Sequence, residues 1–142
     1  MSIVHASSER QNIYEGCGMN IKKYLKTLLS SSAELAAKLG TNGKILSAYP
    51  AEVTIFPCVI YEEHGSSDIC FSDNLPEGTS AVVRIHIFTK TLTDYPTTNE
   101  IGDIIRGVFR SKLWAMTSNN ELSEEDQIKH RVMDFKREFY SL

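Results

Sequence analysis

The sequence predicts an α+β fold, namely a small, mainly antiparallel or mixed β-sheet with two main α-helices packed on one face. Three patterns support this prediction. Residues 81–90 place apolar side chains at every second position, which is the period of a strand with one buried face. Residues 20–39 and 101–109 repeat apolar residues at the spacing of amphipathic helices. Residues 132–140 alternate again and predict a closing strand.

The first helix is predicted over residues 20–39. Asn20 can accept a hydrogen bond from the first turn, and Gly40 is the permissive residue that commonly follows a helix end. A short strand is predicted at residues 45–49, stopped by Pro50. The apolar stripe of the helix consists of Ile21, Leu25, Leu28, Leu29, Leu35, Ala36 and Leu39.

The next strand is predicted at residues 56–61. Pro57 restricts its first part to a strand start or an edge, because proline cannot donate to a sheet ladder. Residues 62–79 are polar and contain glycine, proline and short clusters of serine and aspartate. They predict a long loop, and a loop of this length in a small domain is usually functional or mobile.

The strand that follows this loop is expected to lie at the centre of the sheet. Val83, Ile85 and Ile87 are predicted to pack under the two helices. Arg84 and His86 then lie on the other face, where a neighbouring subunit or a channel could meet them.

Residues 97–100, Thr-Thr-Asn-Glu, predict a capping box that opens the second helix. Trp114 follows this helix and is expected to be either a core residue or an interface anchor. Residues 119–126 are interpreted as a polar excursion. In the closing strand after it, Met133, Phe135 and Phe139 share one side with Arg137.

The length and composition are those of one ordinary globular domain. The chain has 142 residues, of which 42% are hydrophobic and 23% charged, so residues 19–142 are predicted to form a single compact unit. Residues 1–18 lack sustained periodicity and are predicted to form an amino-terminal arm. An alternative hypothesis is that translation naturally starts at Met19, which intact-mass measurement of the native protein would decide.

Several classes of protein are disfavoured by the composition. The formal charge of −3 argues mildly against a free-standing nucleic-acid binder, which usually carries a basic patch. Three scattered cysteines do not resemble a secreted disulfide framework, so reduced thiols in a cytoplasm are expected. No apolar run has the length of a membrane span, and the first residues contain no signal-peptide core.

No set of residues in the sequence predicts a catalytic site or a metal site. His64, Ser66 and Asp68 are the types found in hydrolase triads, but near-neighbours on one loop rarely converge, so a polar loop is the better interpretation. Cys58, His64, Cys70 and His86 lack the close pairs that pre-organise zinc ligands. Cys58 is expected to be a small core residue. We therefore expect no enzyme activity, no cofactor and no metal.

The order of these segments resembles the tail-completion proteins of long-tailed bacteriophages and prophages, also called tail-to-head joining or tail-terminator proteins. The resemblance runs from Met19 to Tyr140. Its most recognisable parts are the Phe56-Pro57 tract followed by an apolar strand, and the strand that ends in Thr-Lys-Thr (residues 89–91) before a helix. Cys58 departs from the pattern because an aromatic residue is common at that place, and the amino-terminal arm is extra.

The resemblance implies a structural virion protein in the neck between tail and head, assembled in the host cytoplasm. Such a protein forms a homo-oligomeric ring, here expected to be a hexamer, on the last ring of the tail tube. It stops tail polymerisation and presents a surface to the head connector or stopper protein. DNA passes through the channel of the ring without specific binding, and no membrane is involved.

Two groups of residues become candidate contacts under this interpretation. The acidic side chains of the long loop are expected to reach a neighbouring subunit, the tube or the channel, where they would repel DNA phosphates. Basic and polar side chains of the strand and the second helix are candidate subunit contacts, although a solvated face or phosphate binding explains the two helix arginines as well. The loop residues are Glu62, Glu63, Asp68, Asp73 and Glu77, and the contact candidates are Arg84, His86, Arg106 and Arg110.

Two alternatives stay open. Another minor tail or connector-stopper protein of the virion would share the size, the acidity and the absence of a catalytic pattern. A small cytoplasmic binding module, monomeric or dimeric, is the second alternative, and light scattering would separate it from a ring-forming protein.

Overall fold

The computed structural model describes residues 20–72, 75–124 and 127–140. The predicted amino-terminal arm and Asp73 lie outside the described residues. The elements in chain order are α1 (Ile21–Ser30), α2 (Ala33–Leu39), β1 (Lys44–Leu46), β2 (Cys58–Ser72), β3 (Leu75–Lys90), α3 (Thr98–Ser111), β4 (Ala115–Ser123) and β5 (Ile128–Tyr140). Within these residues, no helix combines the length and the hydropathy that crossing a membrane requires.

The five strands form one mixed sheet in the order β1-β2-β3-β5-β4. β1 runs parallel to β2, and every other neighbouring pair is antiparallel. The α+β prediction is therefore confirmed. The strand predicted to be central is β3, which pairs with β2 on one side and with β5 on the other.

The main core lies between the sheet and the helices. Val83, Ile85 and Ile87 of β3 are fully buried in it, as predicted from their alternation. α3 contributes Phe109, whose ring stacks on Phe135 of β5 with 4.3 Å between centroids. Trp114 is also buried in this core, which favours the first of its two predicted roles.

A second, smaller core lies on the opposite face of the sheet. Cys58, Ile60 and Phe88 are buried there and are covered in part by Val53 and Phe56 from the segment before β2. This confirms the prediction that Cys58 is a core residue. The Phe56–Pro57 peptide bond is cis, and β2 begins directly after it, as the missing N–H of proline requires.

The first predicted helix is divided into two. Ser31 donates its hydroxyl to the carbonyl of Leu28 at 3.0 Å, and the Ser32 hydroxyl accepts the N–H of Leu35 at 3.1 Å. Serine side chains compete in this way with helical backbone hydrogen bonds, so the serine run ends α1 and caps α2. The predicted caps Asn20 and Gly40 are confirmed at the outer ends. The capping box at Thr97 and Glu100 is confirmed too.

The long loop predicted at residues 62–79 is wrong. β2 and β3 continue as an antiparallel two-stranded ribbon, with Glu63 opposite Val83, Asp68 opposite Thr79 and Ser72 opposite Leu75. Residues 63–68 are exposed on both faces, so they have no apolar alternation to mark them as a strand.

The polar excursion predicted at residues 119–126 is also wrong in its first part. Residues 115–123 form β4, an edge strand paired with β5, in which Asn119 lies opposite Met133 and Leu122 opposite His130. β4 is largely exposed, so its sequence alternates too weakly for a strand to be predicted. Residues 125 and 126 lie outside the described residues.

We expect Ile85→Ala to lower the free energy of unfolding by about 2–5 kcal/mol, because it removes methyl groups from a fully buried site in the central strand. Urea denaturation of the dilute protein measures this loss. Ile55→Ala is the matched control, since Ile55 is 36% exposed and should lose less than about 1 kcal/mol. Equal losses for the two variants would contradict the position of β3 in the core.

Candidate functional site

A chain of hydrogen bonds crosses the face of the sheet that lies opposite the helices. Glu62 Oε1 lies 2.9 Å from His86 Nε2, and His86 Nδ1 lies 2.9 Å from His130 Nε2. His130 Nδ1 in turn lies 3.0 Å from Glu124 Oε1. The ring of Phe88 stacks on His130 at 4.0 Å, and the Tyr49 ring meets His86 edge-on at 5.0 Å.

This chain of hydrogen bonds requires one proton more than two neutral imidazole rings carry. Each of its three contacts needs a proton on one of the two facing atoms, and neutral histidines supply one proton each. With both carboxylates ionised, one imidazolium completes all three contacts. Two imidazoliums would instead bring two N–H groups together at the 2.9 Å contact between the histidines.

Burial disfavours the charged form of His130. Burial is the main reason that the pKa of His130 lies below its ordinary value; the neighbouring His86 lowers it further, and the hydrogen bond with Glu124 opposes both. A neutral His130 donates its Nδ1–H to Glu124 and accepts at Nε2. His86 faces the Nε2 of His130 with its Nδ1 and the carboxylate of Glu62 with its Nε2.

An ion pair lies beside this chain on the same face. Arg84 donates from Nε and Nη2 to the two carboxylate oxygens of Asp134, at 2.8 and 3.1 Å, and Ser118 donates to the same carboxylate. The hydrogen bond from Arg84 is the main reason that the pKa of Asp134 lies below its ordinary value. Arg84 and His86 therefore both have partners within the chain, while their contact with a neighbouring subunit stays a prediction.

The acidic residues of the ribbon divide between its two faces. Glu62 lies with the histidines, whereas Glu63 lies opposite Val83 and thus on the helix side. Asp68 lies opposite Thr79, on the helix side as well, and both Glu63 and Asp68 are exposed. A register shift between Glu63 and Gly65 keeps the two acidic residues on one face. Glu77 belongs to the ribbon as part of β3.

The sheet exposes a hydrogen-bonding edge on each side, along β2 beyond the short β1 and along β4. β1 covers β2 only at Cys58–Ile60, so from Tyr61 onward β2 has no outer neighbour among the described residues. The outer edge of β4 likewise has no strand beside it in the described part of the chain. Such rows of N–H and C=O groups can pair with another chain.

A cleft of about 310 Å³ lies beside the edge formed by β4. Arg106 and Arg110 of α3 flank it, Met116 lines it, and the buried aromatic residues Trp114 and Phe135 form its floor. We call this feature the arginine cleft. The structure thus brings together the two helix arginines that the sequence analysis named, at i and i+4 on the exposed side of α3.

Leu113, which directly precedes Trp114 of the arginine cleft in the sequence, has an unfavourable backbone conformation. Its φ of 69° lies in the left-handed region that favours glycine, and its side chain is 78% exposed. Its N–H bonds the carbonyl of Arg110 at 3.0 Å and so helps to end α3. The folding of a single chain does not explain why an exposed leucine occupies a position that suits glycine.

The described residues contain no group of three or more histidine, cysteine, aspartate and glutamate side chains that could hold a metal ion. The Glu62–His86–His130–Glu124 chain is linear, so its members bind one another instead of converging on one point. Burial raises the pKa of the Cys58 thiol to about 11, so this thiol stays protonated at neutral pH.

The sequence analysis missed three parts of this surface: Glu124, His130 and the edge formed by β4. His130 lies opposite Phe88 in the sheet, next to His86 along the same face. The available signal was His86 on the polar face of the central strand and His130 just before the predicted closing strand, but only the register of the two strands shows that they meet.

Comparison with solved structures identifies the same fold in a virus-like particle. The chain is similar to a chain of the virion of a native gene transfer agent particle, with 14% sequence identity and a TM-score of 0.50. The similarity covers 89% of this chain and 98% of the other. No protein-family model and no curated protein sequence matches the chain. At this identity the similarity shows the fold alone.

We expect the free energy of unfolding to decrease as the pH is lowered below about 6.5. Part of this decrease should come from His130. Its pKa is lower in the folded protein than in the unfolded chain, so the unfolded chain binds more protons in this range and gains from acidification. Urea denaturation at pH 7.5 and pH 5 should show a smaller loss for His130→Gln than for the wild type.

His64→Gln is the matched control for this experiment, because His64 is exposed and the wild-type pH dependence should remain. An NMR titration provides the direct check. A pKa for His130 at or above 6.5 in the folded protein would contradict the expectation.

We expect Leu113→Gly to raise the free energy of unfolding by about 1 kcal/mol, because glycine adopts the left-handed conformation without the steric cost that leucine pays. Thermal and urea denaturation measure this gain. Leu92→Gly is the control: Leu92 is 47% exposed and is absent from the residues with positive φ in the described part of the chain. A loss of stability in Leu113→Gly would count against strain at this position.

Proposed function

We propose that this chain is a structural subunit of a phage-like virion that forms a ring, ends the tail tube and joins it to the head connector. The observation that carries the proposal is the fold shared with a chain of a gene transfer agent virion, which extends over 98% of that chain. The sequence resemblance to tail-completion proteins supports the same function independently, since it rests on short motifs and not on the fold comparison.

The two open edges of the sheet suit assembly into a closed ring. A ring built from head-to-tail contacts needs two different complementary patches on each subunit. The exposed edges of β2 and β4 lie on opposite sides of the sheet and run in opposite directions. A second copy in the same orientation therefore presents β4 antiparallel to the β2 of the first, without inversion of either subunit.

The acidic ribbon suits a channel through which DNA passes. Glu63 and Asp68 are exposed, and within the described residues neither has an ion-pair partner. Carboxylates of the ribbon that a subunit contact leaves unpaired, at the rim or the wall of a channel, repel phosphates and prevent DNA from adhering during passage. We propose a hexamer on the last ring of the tail tube, in contact with the tail tube protein and the connector or stopper protein, and located in the virion neck.

The proposed function is assembly and not catalysis. On the face opposite the helices, the polar residues bind one another, in the ion pair of Arg84 with Asp134 and in the histidine chain. An enzyme would need a nucleophile, an acid or a base arranged around a shared point where substrate can bind. We propose accordingly that the subunit needs no cofactor.

We expect electron microscopy of particles made without this gene to show filled heads separated from unjoined tails. If the protein stops tail polymerisation, the tails will also vary in length, whereas loss of a connector-stopper protein leaves tails of normal length. Supplying the wild-type gene in trans is the control and should restore joined particles. Normal joined particles in the deletion strain would contradict the proposed function.

A further inference from the structure

We propose that the arginine cleft of one copy binds the acidic ribbon of the next copy, with Arg106 and Arg110 facing Glu63 and Asp68. This inference rests on the proposed ring, since it identifies the two surfaces that meet at each subunit contact. The partner that occupies the cleft is a second copy of this chain. The charges of the two surfaces, the side of the sheet on which they lie and the directions of the edge strands all indicate this partner.

The two arginines of the cleft differ from the arginines elsewhere in the described residues. Arg84, Arg131 and Arg137 all donate hydrogen bonds to partners within the chain. Arg106 and Arg110 have no ion pair and no side-chain hydrogen bond among the described residues, although they flank a cleft with an aromatic floor. Two guanidinium groups at such a cleft provide a site for carboxylates, which they can bind in bidentate geometry.

Glu63 and Asp68 are the matching acidic residues. Both are exposed on the helix side of the ribbon, and within the described residues neither has an ion-pair or hydrogen-bond partner for its side chain. Glu62 is excluded because its carboxylate is engaged with His86 on the other face. Among the described residues, Glu63 and Asp68 thus form an acidic pair without internal partners and Arg106 and Arg110 a matching cationic pair, each pair beside a different open edge of the sheet.

The two pairs of residues lie on the same side of the sheet, as strand pairing between copies requires. Arg106 and Arg110 lie on the helix side of the sheet, next to β4, and the acidic pair lies on the helix side of β2. When β4 of one copy extends β2 of another in the same orientation, the helix sides coincide. β1 covers β2 only up to Ile60, so the incoming strand meets the ribbon from Tyr61 onward, along the segment that carries Glu63 and Asp68.

Leu113 adds an apolar contact at the same place. It is 78% exposed, follows Arg110 by three residues and directly precedes Trp114 in the floor of the cleft. A neighbouring copy that covers the cleft and extends to Leu113 removes this side chain from water, which gives its strained backbone conformation a function. Exposed charge pairs alone contribute little, so the association needs the charge pairs, the paired edges and this leucine together.

Charge reversal tests the contact. Arg106→Glu with Arg110→Glu should weaken association by about 100-fold or more, because like charges then face each other, and Glu63→Lys with Asp68→Lys should do the same. The chain that carries all four substitutions should assemble again. Lys22→Glu with Lys26→Glu is the matched control, since it reverses two exposed cations at the same spacing on α1 and should leave association unchanged.

The readouts are sedimentation velocity at low and high salt, and capping of purified tail tubes seen by electron microscopy. Thermal denaturation of each variant confirms that it folds. Assembly that is lost in both double variants, restored in the fourfold variant and weakened by salt supports the contact. Leu113→Gly should also weaken assembly although it does not reduce thermal stability.

The possible failures separate this inference from the proposed function. If the wild type assembles, alone or on tail tubes, and charge reversal changes nothing, the arginine cleft is not the contact and the ring proposal stands. If both double variants fail and the fourfold variant fails too, while all are folded, the pairing of these four residues is overturned. A wild type that neither assembles nor caps tail tubes overturns the proposed function itself.

Discussion

The structure depends on the burial of β3 on both faces. Its helix side is filled by Val83, Ile85 and Ile87, which carry the main core. Its other side places His86 at 8% exposure beside Phe88, and a polar group at that depth must have hydrogen-bond partners. The partners are His130 of β5 and Glu62 of β2, so hydrogen bonds accompany the smaller apolar core on the second face, whereas the first is closed by apolar packing alone.

This division explains which parts of the fold can be predicted from the sequence. Val83, Ile85 and Ile87 alternate against a buried face, so β3 and its central position follow from the pattern, as do the caps at Asn20 and Thr97. The ribbon and β4 could not be predicted in the same way. Residues 63–68 of the ribbon are exposed on both faces and β4 is largely exposed, and a strand without a buried face has no hydrophobic period.

The candidate surfaces follow the same rule. Arg106 and Arg110 could be paired from the sequence because the helical period fixes residues i and i+4 on one side. The contact between His86 and His130 could not, because it depends on a register between strands that are 44 positions apart. The sequence contains both histidines, but only the pairing of Phe88 with His130 brings the second one next to the first.

The acidic pair on the ribbon has a second consequence for an exposed edge. An open strand edge can pair with any other, including the same edge of another copy, and charged side chains are one means by which proteins prevent this. Two β2 edges would place Glu63 and Asp68 against the same carboxylates of the second copy, and like charges across paired strands are unfavourable. Pairing of the β2 edge with the β4 edge of another copy places arginines opposite these carboxylates, so the repulsion is absent. One pair of carboxylates can therefore both disfavour pairing of identical edges and favour the head-to-tail contact from which a ring is built.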